Sequence, residues 1–177
     1  MIMRKALSIA LLLLSCTLLY AQEPATVLGR LMAANQPASL KARFTQTRHT
    51  PLLEENLVSE GWVYMLAPDR IRWETTAPVQ KVSILNDDAA GRRFRMPGEK
   101  DFSTTVLEGE GELALMLIPL RRDLKQLMTQ VVVKADPKTL RLRSVLLRQE
   151  GGGWTLIEFK DVKTDVPLDA ALFEKAE

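Results

Sequence analysis

The most informative stretch of this chain is Arg70–Pro78, which reads RIRWETTAP. Charged and apolar side chains alternate from Arg70 to Thr75, and a period of two is typical of a β-strand with one dry face. The preceding Ala67-Pro68-Asp69 predicts a turn, because proline fixes φ and aspartate can close an Asx-type bend. Pro78 ends the strand. The stretch therefore predicts one strand of a sheet, entered and left through proline turns.

The same alternation and further turn signals run along most of the chain. The predicted strands are Ala42–His49, Leu57–Leu66, Arg70–Thr76, Gln80–Asn86, Arg92–Pro97, Glu112–Ile118, Thr129–Ala135, Leu140–Arg148 and Trp154–Val162. One amphipathic helix is predicted over Thr26–Ala34, because its apolar residues fall on one helical face. Most links between strands are too short for crossovers, so the sheet is mainly antiparallel.

Two segments need a separate decision. Glu112–Met128 fits a helix or a strand, and Pro119 decides, because an interior proline costs a helix about 3 kcal/mol. The prediction is a strand that ends at Ile118, followed by a short helix or turn over Leu120–Met128. Lys100–Gly111 is polar and irregular, and a loop is predicted there.

The N-terminus predicts export from the cytoplasm. Arg4 and Lys5 precede the apolar run Ala6–Leu19, which is the pattern of a secretory signal peptide over residues 1–21. An alternative is a lipid anchor, because the residues that end at Cys16 read LLSC, a loose lipobox. The chain stays apolar after Cys16, which favours cleavage after Ala21. We therefore expect a periplasmic protein.

Size and charge narrow the class of protein. Removal of residues 1–21 leaves residues 22–177, which is one domain by length and long enough for a core. The full chain has 24 Lys+Arg and 22 Asp+Glu, and Arg4 and Lys5 lie in the signal, so the mature chain is neutral. The net charge of the mature chain gives no support for an anionic membrane surface or for a nucleic-acid partner, and no nucleic acid is expected.

The residue inventory argues against most catalytic chemistry. Cys16 is the only cysteine and lies in the predicted signal, and His49 is the only histidine. Cysteine-bearing and multi-histidine zinc sites are therefore excluded, and a Ser-His-Asp triad is weakly supported. His49 is interpreted as a surface residue. We expect no catalytic residue, no metal site, no cofactor and no enzymatic activity.

Several strands carry apolar residues on both faces. In Leu57–Leu66, Val63 and Met65 alternate with Trp62 and Tyr64. The predicted helices are too short to cover such a sheet, so part of an apolar face should stay open. An open apolar face of this kind is expected to bind a hydrophobic ligand.

Five segments in a fixed order resemble a known family. They are Phe44-Thr45-Gln46, Gly61-Trp62-Val63-Tyr64, Arg70–Glu74, Trp154–Phe159 and Val166-Pro167-Leu168-Asp169. Together with the signal peptide, they resemble the LolA family of periplasmic lipoprotein carriers over nearly the whole mature chain. The resemblance implies a mainly β (α+β) fold, an incomplete antiparallel β-barrel whose hydrophobic concave face is lidded by short helices. It also implies a monomer that takes acylated lipoproteins from an inner-membrane ABC complex to an outer-membrane acceptor.

The resemblance also implies a lipid-binding cavity lined by apolar side chains. Four residues match the family by position: Val63, Met65, Ile71 and Trp73. Four more are added from strand alternation: Phe44, Ile84, Phe94 and Met96.

Two departures from the family keep other functions open. Well-studied carriers have an arginine before the proline that matches Pro68, and here that residue is Ala67. The segment before Leu113, where the family usually places lid helices, is also short. The alternatives are a LolA-like carrier of a glycolipid or a lipophilic pigment precursor, an outer-membrane receptor anchored at Cys16, and a sensor or scaffold that binds a protein through the same sheet.

Overall fold

The computed structural model describes residues 26–68, 70–85, 99–107 and 111–174. The predicted signal peptide and the predicted strand Arg92–Pro97 lie outside the described residues. The described part contains two α-helices, neither of which is long and apolar enough to cross a membrane: α1 (Val27–Ala34) and α2 (Arg122–Leu127). Its strands are β1 (Ser39–His49), β2 (Leu57–Leu66), β3 (Arg70–Ala77), β4 (Lys81–Leu85), β5 (Phe102–Leu107), β6 (Leu113–Pro119), β7 (Gln130–Ala135), β8 (Leu142–Arg148) and β9 (Trp154–Thr164).

These strands form one antiparallel sheet in the order β4-β3-β2-β1-β9-β8-β7-β6-β5. Each strand pairs with its neighbour in sequence except at the centre, where β1 pairs with β9. Within the described residues, the two outermost strands, β4 and β5, do not pair with each other, so the described sheet is not closed. The predicted incomplete, curved β-barrel is confirmed.

Strand positions follow the sequence pattern closely, with one error. Strand β2 has the predicted bounds, and β6 ends at Pro119 just before the short helix α2. The predicted loop over Lys100–Gly111 is wrong, because it contains β5. Residues 103–106 of β5 are exposed, since this strand lies at the edge of the sheet in the described part of the chain. Its serine and threonine side chains therefore hide the alternation that marks a half-buried strand.

The sheet has two chemically different faces. Directly paired residues on neighbouring strands point to the same face, so the register defines each face. We call the face that carries Phe44 and Leu115 the inner face. Phe44 pairs with Gly61 and Phe159, and Leu115 pairs with Val133. The opposite, outer face carries Lys41, Arg43, Thr45 and Thr47 of β1 and the remaining apolar positions of β2.

Helix α1 covers the inner face of β6 and β7. Leu28 and Leu31 of α1 are buried at 3% and 5% exposure. They pack in one core cluster with inner-face residues of these two strands, which are Leu115, Leu117, Val131, Val133 and Ala135. Val145 and Leu147 of β8 pack against the same cluster. The main core therefore lies between α1 and the β5–β8 half of the sheet.

Both ends of α1 are fixed by side-chain hydrogen bonds. At the N-terminus, Thr26 Oγ1 accepts from the Gly29 backbone N–H at 3.1 Å and donates to a Glu99 carboxylate oxygen. At the C-terminus, Asn35 Nδ2 donates to the carbonyls of Leu31 and Leu140. The helix is therefore anchored next to the start of β5 at one end and next to the start of β8 at the other.

Candidate functional site

Five of the eight predicted cavity residues share the inner face of β1–β3. The register pairs Val63 with Trp73 and Met65 with Ile71. Phe44, on β1, lies with its ring centroid 4.3 Å from that of Trp73 at an angle of 34°. Strand alternation and pairing thus bring these five side chains onto one apolar surface.

The placement of Ile84 was predicted wrongly. Strand β4 pairs Ile84 with Arg72 and Ser83 with Trp73, so Ile84 lies on the outer face. Leu85, which pairs with Ile71, lies on the inner face instead. Residues 82–85 alternate in the sequence, but alternation alone does not say which set faces the cavity. The two other predicted residues, Phe94 and Met96, lie outside the described residues.

Sequence reasoning also missed the inner-face residues of β9. Phe159 pairs with Phe44, and Ile157 pairs with Gln46. Their alternation is visible in Trp154–Phe159, but nothing local shows that this segment lies beside β1. The alternation of β9 is therefore visible in the sequence, but its pairing with β1 is not.

The inner-face side chains of β1–β4 form a surface that we call the β1–β4 inner surface. Its apolar members are Leu40, Ala42, Phe44, Leu57, Val63, Met65, Ile71, Trp73 and Leu85. Its side chains become more exposed from β1 to β4. Phe44 is 2% exposed and Val63 6%, whereas Leu85 is 45% exposed. None of these residues belongs to the core cluster that packs under α1. The surface is thus a second apolar region, apart from the α1 core, that becomes more exposed toward β4.

This surface is mainly apolar, with polar side chains at its margins. Toward β4 it carries Thr75, Ser83 and Lys81, and toward the β1–β2 hairpin it carries the polar side chains of Gln46, Arg48 and Ser59. Within the described ranges, no group of three or more His, Cys, Asp or Glu side chains is placed to hold a metal ion. A ligand on this surface would therefore meet mainly aliphatic and aromatic groups, with polar contacts toward β4 and toward the β1–β2 hairpin.

Arg72 lies on the outer face and cannot replace the arginine that the family has at the position of Ala67. Its Nε donates to Glu74 Oε2 at 3.0 Å, and its Nη1 donates to the Leu172 carbonyl at 3.0 Å. Leu172 belongs to a 3₁₀ helix, Ala170–Phe173. Arg72 therefore holds the C-terminal segment against β3.

The described residues with shifted pKa values lie away from the β1–β4 inner surface. Burial, with a smaller contribution from Glu74, raises the pKa of the Tyr64 phenol on the outer face. A hydrogen bond from Lys134 lowers the pKa of Glu112, near the β6–β7 end of the sheet. His49 makes a 3.0 Å contact with Asn56 and stacks on Trp154. These groups support local structure.

Comparison with known proteins identifies the fold. No protein-family model and no curated protein matches this chain. MucB is similar at 13% identity with a TM-score of 0.54, over 83% of this chain and 60% of that one. The MucA/MucB complex of Pseudomonas aeruginosa matches at 14% identity and a TM-score of 0.50, over 83% of this chain and 59% of that one. This chain thus spans less than two thirds of MucB.

The LolA superfamily protein NE2245 from Nitrosomonas europaea is also similar, at 11% identity and a TM-score of 0.45. The match covers 85% of this chain and 99% of that one. The fold is shared with MucB. It has the unclosed antiparallel sheet and the short helix on the inner face that the sequence resemblance implied.

Proposed function

We propose that this protein is a periplasmic carrier that binds acyl chains of lipoproteins on the β1–β4 inner surface. The observation that carries the proposal is the surface itself, which is apolar, lies apart from the α1 core and grades from buried Phe44 to half-exposed Leu85. The resemblance of the sequence to the LolA family supports the same function. The predicted signal peptide supports a periplasmic location.

The proposed mechanism is stoichiometric transfer without catalysis. Burial of each acyl methylene contributes about 0.8 kcal/mol, so about ten methylenes on a dry surface would contribute about 8 kcal/mol. Release then requires an acceptor that offers a larger apolar surface. The resemblance to LolA implies an inner-membrane ABC complex as the donor and an outer-membrane receptor as the acceptor.

A second candidate is a domain that binds a protein. The solved structure of the Pseudomonas aeruginosa proteins is a MucA/MucB complex, and this chain is similar in fold to part of it. In that case the β1–β4 inner surface would receive apolar side chains of a polypeptide. A carrier of a glycolipid would use the same surface for acyl chains and differ only in the headgroup.

Two residues of β4 provide a matched pair of test variants. Leu85 is 45% exposed on the inner face, and Val82 is 47% exposed on the outer face. Leu85→Gln and Val82→Gln both exchange a half-exposed aliphatic group for an uncharged polar one on the same strand. Trp73 is less suitable, because its ring packs against the buried Phe44, so a polar substitution would also damage folding.

The experiment is a fluorescence titration with a long-chain fatty acid probe, followed by competition with a synthetic acylated lipopeptide. A ligand that covers the exposed part of Leu85 gains about 1 kcal/mol there, so Leu85→Gln should weaken binding about fivefold. Val82→Gln should bind like the wild type. Equal effects of both variants, or no saturable binding of the probe, would contradict the proposal. Displacement of the probe by a non-acylated peptide would favour the protein-binding candidate.

A further inference from the structure

The outer face carries a cluster of cations that the linear sequence does not reveal. The register places Lys41 directly opposite Lys163, and Arg43 directly opposite Lys160, on the paired strands β1 and β9. We call these four residues the outer basic patch. Two cross-strand pairs of like charge thus lie side by side at the centre of the sheet.

This arrangement does not stabilise the fold. Like charges directly opposite each other on antiparallel strands repel. Asp161 forms an ion pair with Arg43, at 4.0 Å between Asp161 Oδ2 and Arg43 Nη1. Both side chains are more than half exposed, at 63% and 54%, and exposed ion pairs contribute little. Glu60 and Glu158 lie beside the patch on the same face, opposite Thr45, so four cations meet three carboxylates there and a net charge of +1 remains.

A solvent-open pocket lies within this patch. The β1–β9 register shifts between Lys41 and Arg43, and Asp161 takes a positive φ of 52° there. The pocket next to this β-bulge has a volume of about 340 Å³. Its lining consists of Lys41, Trp62, Asp161, Val162 and Lys163. Two ammonium groups and an indole therefore surround one space on the outer face.

Two aromatic residues of β2 border the patch. Lys41 Nζ lies 4.5 Å from the Trp62 ring centroid and 5.5 Å from that of Tyr64. The centroids of Trp62 and Tyr64 are 6.5 Å apart. Trp and Tyr side chains are enriched where an apolar medium meets water, and lysines reach from there to the aqueous side. Cations combined with these aromatics match the phosphate layer of a membrane surface.

We propose that the outer basic patch docks this protein on an anionic membrane surface, with lipid phosphate groups held between Lys41 and Lys163. Asp161 balances only one of the two lysines that line the pocket, and anionic lipids supply the remaining countercharge. The β1–β4 inner surface lies on the opposite side of the sheet and stays accessible in the docked state. The site is distinct from the acyl-binding surface and does not depend on what that surface carries.

The test is sedimentation of the full-length mature protein with vesicles of phosphatidylglycerol mixed into phosphatidylcholine, compared with vesicles of phosphatidylcholine alone. The wild type should bind the anionic vesicles and not the neutral ones. Each lysine at an anionic surface accounts for about a fivefold gain in binding. The double variant that combines Lys41→Gln and Lys163→Gln should therefore bind the anionic vesicles about 30-fold more weakly. Binding should also fall as salt rises from about 0.1 M to about 1 M, because the screening length shortens from about 10 Å to about 3 Å.

The matched control is Lys100→Gln with Lys125→Gln, which removes the same charge from exposed residues near β5 and in α2. This variant should bind like the wild type. Equal losses in the two double variants would overturn the proposal, because they would show a response to net charge alone. Binding to neutral vesicles, or no binding to anionic ones, would also overturn it. Displacement from vesicles by millimolar glycerol phosphate would replace a membrane dock with a site for a soluble phosphate.

Discussion

Asn35 offers the sharpest test of how the covering helix is held. Its side chain donates to the carbonyls of Leu31 at 2.8 Å and Leu140 at 2.7 Å. Its Oδ1 accepts from the Leu142 backbone N–H at 3.0 Å. One amide therefore satisfies a carbonyl in the last turn of α1 and two backbone groups at the start of β8. Asn35→Ala removes all three hydrogen bonds and leaves the helix joined to β8 by apolar packing alone.

The expected loss follows from these bonds. A protein hydrogen bond contributes about 1 kcal/mol net, and leaving a buried partner unsatisfied adds to the loss. The site is half-buried, so water replaces part of what is removed, and we expect Asn35→Ala to lower the free energy of unfolding by about 2 kcal/mol. Asn35→Asp should do no better, because its carboxylate would face the Leu31 and Leu140 carbonyls.

The assay is equilibrium unfolding in urea followed by circular dichroism. With a slope near 2 kcal/mol/M, a loss of about 2 kcal/mol moves the midpoint down by about 1 M at constant slope. Hydrogen exchange of the α1 amides should quicken as well, because the helix would open locally. The matched control is Gln36→Ala at the next, exposed residue. A loss below about 0.5 kcal/mol, or one no larger than that of Gln36→Ala, would refute the reasoning.

Two further predictions concern acid sensitivity and sheet packing. Hydrogen bonds, the strongest from the Thr139 backbone N–H, lower the pKa of the Asp136 carboxyl from 3.8 to about 2. The ionised carboxylate therefore stabilises the fold above about pH 4, and this contribution is lost as the pH falls through 2. Carboxyl NMR should show this midpoint, and the stability gap between wild type and Asp136→Asn should close between pH 4 and 2. A Cβ at Gly61 would lie 1.9 Å from the Glu74 carbonyl oxygen, so Gly61→Ala should destabilise by at least about 2 kcal/mol in urea unfolding. Ser59→Ala, on the same strand and face, should change stability by less than about 0.5 kcal/mol; similar effects of the two substitutions would contradict the predicted overlap.

Strand positions could be predicted because they depend on local chemistry. The alternation in Arg70–Thr75 follows from the pleat of the backbone, and Pro119 stops β6 whatever lies beside it. Strand β5 was missed for an equally physical reason. At the edge of the described sheet its polar side chains meet solvent, so Phe102–Leu107 lacks the contrast between faces on which the prediction rests.

The sequence predicted which residues of the candidate site share a face for strands β1 to β3, but not for β4. Phe44, Val63 and Trp73 were assigned to one face, and the structure places them on one face. Ile84 was assigned to the same face, and the register of β4 places it on the other. A register shift of one residue moves every side chain of a strand to the opposite face of the sheet. Nothing within a five-residue strand fixes that register.

The sequence by itself determined where most strands begin and end and that the sheet carries more apolar surface than its helices can cover. It also showed a chain of balanced charge. Only the tertiary structure decided that β1 pairs with β9, which brings Phe159 beside Phe44 and Lys163 beside Lys41. The physical reason is that alternation is a property of neighbouring residues, whereas pairing depends on segments more than one hundred residues apart. A neutral chain thereby gains both an apolar inner surface and a positive outer patch.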